Sequence, residues 1–228
     1  MAADELGRPR AAVSTANAAR VSWIERLRAR LAPAPDHRPE SWRIGSRRVQ
    51  ADPVLASLAL EALTPAAVLV PVVDRPGGPT VLFTVRAAHL RQHAGQISFP
   101  SGRLESADTD ALGAALREAE EEVGIGPQWV DPLGYLPDHV VISGFRVTPV
   151  VGRVRPLGEP RPDRAEVAGV FEVPLDYVLE PGNYRAVRRR VRESEVEVTE
   201  LAYGEHRIWG ATAAILTSLY QLMLEAAP

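Results

Sequence analysis

The chain has 228 residues, 46% of them apolar, with 26 basic against 29 acidic side chains and a formal net charge of −3, values ordinary for a soluble domain with a full hydrophobic core. The longest apolar run, Pro65 to Val73, is too short to cross a bilayer, and the absence of cysteine excludes a disulfide framework and a zinc–thiolate site. Every basic residue is arginine and the balance is acidic, so no nucleic-acid or membrane partner is indicated and a cytoplasmic location is expected.

Residues 1–49 form an N-terminal extension rich in Ala, Arg and Pro. Within it, 17–31 predicts an amphipathic helix with Ile24, Leu27 and Leu31 on one stripe, broken by Pro33-Ala-Pro35, and the extension reads as a docking or loose arm. Residues 50–228 form the second unit. Here 66–73 and 80–86 predict strands joined by the turn Arg75-Pro-Gly-Gly-Pro79. A polar loop (87–95), a short strand (96–99) and a Pro-Ser-Gly turn (100–102) lead to a helix over 110–123 that Gly124 ends. Strands follow at 130–136, 145–155 and 168–173, then a hairpin over 184–202 and a last helix over 211–225, which His206 and Trp209 begin. Strands mixed with two or three helices indicate an α/β layered fold.

The stretch Ala115-Leu-Arg-Glu-Ala-Glu-Glu-Glu-Val-Gly-Ile125 sets Glu118, Glu120, Glu121 and Glu122 within five positions. At about 100° per residue, Leu112, Leu116, Ala119 and Val123 fall within roughly 40° of one another and predict the buried stripe. Glu118 and Glu122 then share one flank with Ala111 and Ala115, whose small side chains leave a groove; Glu121 lies one step round and Glu120 on the opposite flank. Like charges four apart destabilise a helix. A hard divalent cation removes that repulsion, whereas a merely solvated acidic face is the bland alternative. Gly102, ahead of this helix, allows a close backbone approach in a turn whose N–H groups suit a phosphate.

Gly102, followed by Arg117-Glu118-Ala119-Glu120-Glu121-Glu122-Val123-Gly124-Ile125, resembles the Nudix box. The span from Gly102 to Arg117 is one residue longer than in the general box, and Asp108 stands where a glutamate falls, which leaves the role of that loop carboxylate open. The same spacing is found in the coenzyme A pyrophosphatase branch. That branch is also resembled by Leu82-Phe-Thr-Val-Arg86, by Leu90-Arg91-Gln-His93-Ala-Gly95-Gln96 with Phe99-Pro100-Ser101-Gly102, and by Tyr203 to Ala213.

The resemblance implies a Nudix-type α/β/α sandwich with a mixed central sheet and the Nudix loop-helix. It implies Mg²⁺- or Mn²⁺-dependent hydrolysis of the diphosphate of coenzyme A or its derivatives, giving 3′,5′-ADP and 4′-phosphopantetheine or its acyl form. The metal ligands expected are Glu118 and Glu122, with Glu121 as a further ligand or a water-orienting group. Arg117 holds the carboxylates in place, Glu120 is dispensable, and Glu166 is the distant-loop base, with Asp163 as its alternate. Arg86, Arg91, His93 and Arg103, with Gly102, are the substrate-binding set, the cations serving the 3′-phosphate; the competing reading is a solvated loop. The partner is a small-molecule nucleotide, and a homodimer is compatible with the sequence. The alternatives are a Nudix hydrolase of ADP-ribose, a dinucleoside polyphosphate or an oxidised nucleotide, and a non-catalytic sensor on the same fold.

Overall fold

The computed structural model describes residues 23–45, 47–48, 63–90, 93–155, 159–191 and 194–224. In chain order the strands of the large sheet are β1 (Arg43–Ile44), β2 (Arg47–Arg48), β3 (Thr64–Val73), β4 (Thr80–Arg86), β5 (Ile97–Ser98), β6 (Ser101–Arg103), β7 (Val130–Tyr135), β8 (His139–Val141), β9 (Phe145–Val154) and β10 (Val167–Pro174). Helix α1 (Ala111–Val123) precedes β7, and the short α2 (Leu175–Leu179) follows β10. A second antiparallel sheet, β11 (Tyr184–Val191), β12 (Ser194–Tyr203) and β13 (His206–Trp209), leads into α3 (Gly210–Leu224).

The order of the large sheet is β10-β4-β3-β9-β8-β1-β2, with β5 on β4, β6 on β3 and β7 on β9. β3 and β9 run parallel in its middle, and β1 and β8 are parallel, while the remaining pairs are antiparallel. Alternation along β3 divides the interior into two layers. Ala67, Leu69 and Val73 pack under α1 with Leu82, Val150 and Val154. Ala66, Val68, Val70 and Val72 face the opposite layer, built from α3, the small sheet and Trp23, Ile24, Leu27 and Leu31 of the helical stretch at 23–28 and its exit. The result is an α/β/α sandwich around a mixed sheet. Residues 23–45 therefore pack on the rest of the fold, held also by His37, whose ring Nδ1 lies 2.8 Å from buried Asp138, and by Arg43 N–H donating to the Asp138 carbonyl at 2.8 Å. The rest of the 17–31 stretch lies outside the described residues. Among the described residues no helix is long and apolar enough to cross a membrane.

Three local expectations are corrected. Residues 101–103 are strand rather than turn: β4 pairs with β3 only at Val72 and Val73, so the edge of β3 at Ala66–Val68 is open and Arg103, Gly102 and Ser101 fill it. His206 and Trp209 belong to β13, because Gly204 at φ 54 reverses the chain tightly and buried Ile208 follows a two-residue period; α3 starts after them. The buried face of α1 is centred on its alanines. Ala111, Ala114, Ala115 and Ala119 are buried with Glu122 and Val123, while Leu112 and Leu116 are only partly covered. The alanines fill no groove; they let the helix lie close on the sheet, which turns Glu118 and Glu122 inward.

Candidate active site

α1 is fixed at both ends by its own sequence. At the start, Asp110 is the N-cap, its carboxylate accepting the Gly113 N–H at 2.8 Å. At the end, Gly124 takes the left-handed conformation (φ 71), so that its N–H and that of Ile125 return to the Glu120 and Ala119 carbonyls, each at 3.0 Å. Two further carbonyls of the last turn, on Glu122 and Val123, accept from Asp163 and Arg161, each at 2.9 Å. The loop carrying Asp163 and Glu166 is thereby tied to the carboxylate end of the helix.

The four glutamates occupy unlike environments. Glu122 is 3% exposed and neither of its oxygens has a hydrogen-bond partner. Burial pushes its carboxyl up to about 8; the Arg86 cation pulls it down, Glu118 and Glu166 push it further up, and the Ser101 backbone draws it down least. Glu118 is also raised, first by burial, against the pull of Arg117. Its carboxylate lies on Gly102: a Cβ there would fall 1.9 Å from the Glu118 Oε1. Gly102 is thus needed for a close approach, and the approaching group is a side-chain carboxylate. Glu121 is 60% exposed and Glu120 points to solvent.

Arg117 organises the loop before the helix. Its Nε and Nη2 donate to the two oxygens of Asp108 at 3.1 and 3.0 Å, Nη1 donates to Glu118 at 2.7 Å and Glu121 at 3.2 Å, and Nη2 also reaches the Arg103 carbonyl at 3.1 Å. Asp108 in turn accepts the Glu105 N–H at 2.8 Å, and the Arg117 guanidinium holds it below the usual carboxylate range. The open question of the loop carboxylate is answered by this fork: Asp108 is the partner of Arg117.

Of the remaining sequence-derived residues, Arg86 and Glu166 are brought within the field of the glutamates, whereas His93 and Arg103 are held elsewhere. Arg86, at the end of β4, stands in the field of Glu122, and its buried Nε has no partner. Glu166 acts on both Glu118 and Glu122, and its carbonyl accepts from Ala87 at 2.8 Å. His93 serves the turn of its loop, at φ 59 with its ring 2.8 Å from the Gln96 side chain. Arg103 stacks on Phe145, 5.2 Å from the ring centroid. Arg91 lies outside the described residues. The sequence reading missed His89, whose ring meets the Ala165 carbonyl at 3.0 Å and links the 87–95 loop to the Glu166 loop; a single histidine carries no spacing signal.

Among the described residues no three carboxylate or imidazole side chains form a ready-made metal cluster. The donors present nevertheless fit a hard divalent cation: two orphaned oxygens on Glu122, a second inward carboxylate on Glu118, and mutual repulsion with Glu166 that a cation removes. Mg²⁺ in particular is held by one or two carboxylates with water and phosphate oxygens completing its shell.

Comparison with known proteins shows the family of the chain. Residues 63–194 match the NUDIX domain model. A protein described as "Uncharacterized Nudix hydrolase NudL" from Salmonella paratyphi B is 47% identical over 154 residues, covering 68% of this chain and 80% of the relative. Among solved structures, a Nudix hydrolase from M. smegmatis, RenU, is 26% identical with a TM-score of 0.42, covering 52% of this chain and 78% of its own. A MutT/nudix family protein from Enterococcus faecalis is 14% identical with a TM-score of 0.46, covering 70% of this chain and 61% of its own. On the domain match and the 47% relative together, the chain belongs to the Nudix hydrolase family.

Proposed function

We propose that the protein hydrolyses the diphosphate bond of coenzyme A or its derivatives with Mg²⁺ or Mn²⁺, giving 3′,5′-ADP and 4′-phosphopantetheine or its acyl form. The observation that carries the reading is Glu122, a buried carboxylate with no side-chain donor and only a weak pull from the Ser101 backbone, placed beside Glu118 and within the field of Glu166 and Arg86. Such a group is costly to fold unless a cation uses it. Glu118 and Glu122 hold the metal, which when bound neutralises charge on the phosphoryl oxygens. Arg117 fixes Glu118 from one side while Gly102 leaves it room on the other.

Hydrolysis forms one bond from water oxygen to phosphorus and breaks the bridging P–O bond, the second phosphate leaving with the electron pair. Glu166 takes the proton of the attacking water. Arg86 acts on Glu122, and in this reading it meets a diphosphate oxygen rather than the 3′-phosphate. Glu121, exposed and paired with Arg117, is an outer water-orienting group rather than an inner ligand.

The choice of coenzyme A is supported by the sequence around the site: Leu82 to Arg86, Leu90 to Gln96 and Phe99 to Gly102, together with the box spacing. A sensor without catalysis is disfavoured because it has no use for a buried unpaired carboxylate. The test is a panel of coenzyme A, ADP-ribose, a dinucleoside polyphosphate and an oxidised nucleotide, each with Mg²⁺, Mn²⁺ or a chelator. The expected result is highest kcat/KM on coenzyme A, lost in chelator and restored by metal; highest kcat/KM on another diphosphate moves the assignment to that substrate.

A further inference from the structure

We infer that Phe145 is a positioning residue for substrate recognition: its ring holds the Arg103 guanidinium where it meets a phosphate of the substrate other than those of the diphosphate being cleaved. The inference rests on the coenzyme A reading above, in which that group is the 3′-phosphate. β6 delivers two neighbours to opposite faces of the sheet. Gly102 pairs with Ala67, on the α1 side, and receives Glu118; Arg103 pairs with Ala66, whose side chain belongs to the other layer, and its head lies over Phe145, which packs against that same layer. The guanidinium thus sits across a single strand from the metal-binding carboxylates. It does not share their face.

Both parts of the pair are fixed. The Arg103 main chain is held by the β3 ladder and by Arg117, which donates to its carbonyl at 3.1 Å. The Phe145 ring is placed by a tight turn, in which the Gly144 N–H donates to the Val141 carbonyl at 2.9 Å with Gly144 at φ 86, and by its pairing with Thr64 at the start of β3. Among the described residues the Arg103 side chain has no acidic or hydrogen-bonding partner and is exposed. An exposed guanidinium carries large rotamer entropy, and a ring face that limits its motion while leaving its N–H groups free prepares it for an anion. A nucleotide whose diphosphate lies at Glu118 and Glu122 and whose ribose passes the edge of β6 presents its further phosphate to this cation.

The experiment measures kcat and KM of the full chain with Mn²⁺ for coenzyme A and dephospho-coenzyme A, in wild type, Phe145→Leu, Phe145→Tyr and Arg103→Gln. Phe145→Leu is expected to raise KM for coenzyme A about three- to tenfold, with kcat changed less than about twofold and KM for dephospho-coenzyme A nearly constant. Phe145→Tyr, which keeps the ring face, restores the wild-type KM, and Arg103→Gln reproduces the leucine variant on a surface position that does not burden the fold. Unchanged KM for coenzyme A in Phe145→Leu, whatever Arg103→Gln does, or an equal rise for both substrates, overturns the inference while leaving the coenzyme A reading intact. A wild-type protein that cleaves neither substrate overturns both.

Discussion

Glu122 shows how a single residue sets the character of the site. Its carboxyl is raised from the usual carboxylate range to about 8 by burial, so the folded metal-free protein keeps it protonated over a range where the unfolded chain is ionised. The sign follows: its favourable contribution is complete below about pH 4.5 and is lost as pH rises toward 8. Glu122→Gln is therefore expected to raise the metal-free melting temperature at pH 8 by roughly 5–10 °C, with the difference vanishing near pH 4, while lowering turnover at least about 10²-fold. Thermal unfolding across pH reads the first effect and steady-state kinetics the second. Adding Mn²⁺ should stabilise the wild type and leave Glu122→Gln nearly unmoved, which calorimetry checks. Glu120→Gln, on the solvent side, should change none of these readouts. Gly102→Ala makes the complementary test. Its Cβ displaces the Glu118 carboxylate, the free end of a flexible side chain, so kcat/KM should fall at least about tenfold with a stability change under about 1 kcal/mol.

At the scale of the element, α1 shows what was legible in the sequence and what was not. Its limits were legible because caps are local chemistry: Asp110 before it, Gly124 after it, and, Gly113 apart, good helix formers between. The rotation of the helix was not. Leucines dominate a hydrophobicity count, yet here Leu112 and Leu116 lie at the margin, and the face of small alanines, which allows close contact with the sheet, is the one that packs. Glu122 was consequently read as a flank residue when it is buried. The pairing of Asp108 with Arg117 was hidden for another reason, since it depends on the path of a loop that no periodicity describes. Arg117→Lys keeps the charge but cannot hold both Asp108 oxygens with its fork, so kcat should fall about tenfold or more with only a modest shift in melting temperature. An unchanged kcat in that variant would remove the loop from the account of the site.

Over the whole molecule, the long strands of the central sheet were readable from continuous apolar runs, whereas β1, β2, β8 and β6 were not; β6 exists only where a neighbour leaves an edge open, which is a tertiary event. The arm followed the same division: Ile24, Leu27 and Leu31 read as one apolar stripe, but its target, the layer beneath α3, is visible only in the fold. Leu27 is fully buried there, and Leu27→Ala should cost about 2–5 kcal/mol in denaturant unfolding while leaving KM unchanged. Buried His139, pushed down to about 3 by burial, adds an acid limit: its contribution is whole above about pH 6.5 and is lost as pH falls toward 3. The central claim, hydrolysis of the coenzyme A diphosphate at the Glu118–Glu122 site, is tested most directly by mass spectrometry of the products from coenzyme A and Mn²⁺. The wild type should give equal amounts of 3′,5′-ADP and 4′-phosphopantetheine, and Glu122→Gln at most about a hundredth of that yield; intact coenzyme A after incubation with the wild type, or equal yields from both proteins, would contradict hydrolysis at this site.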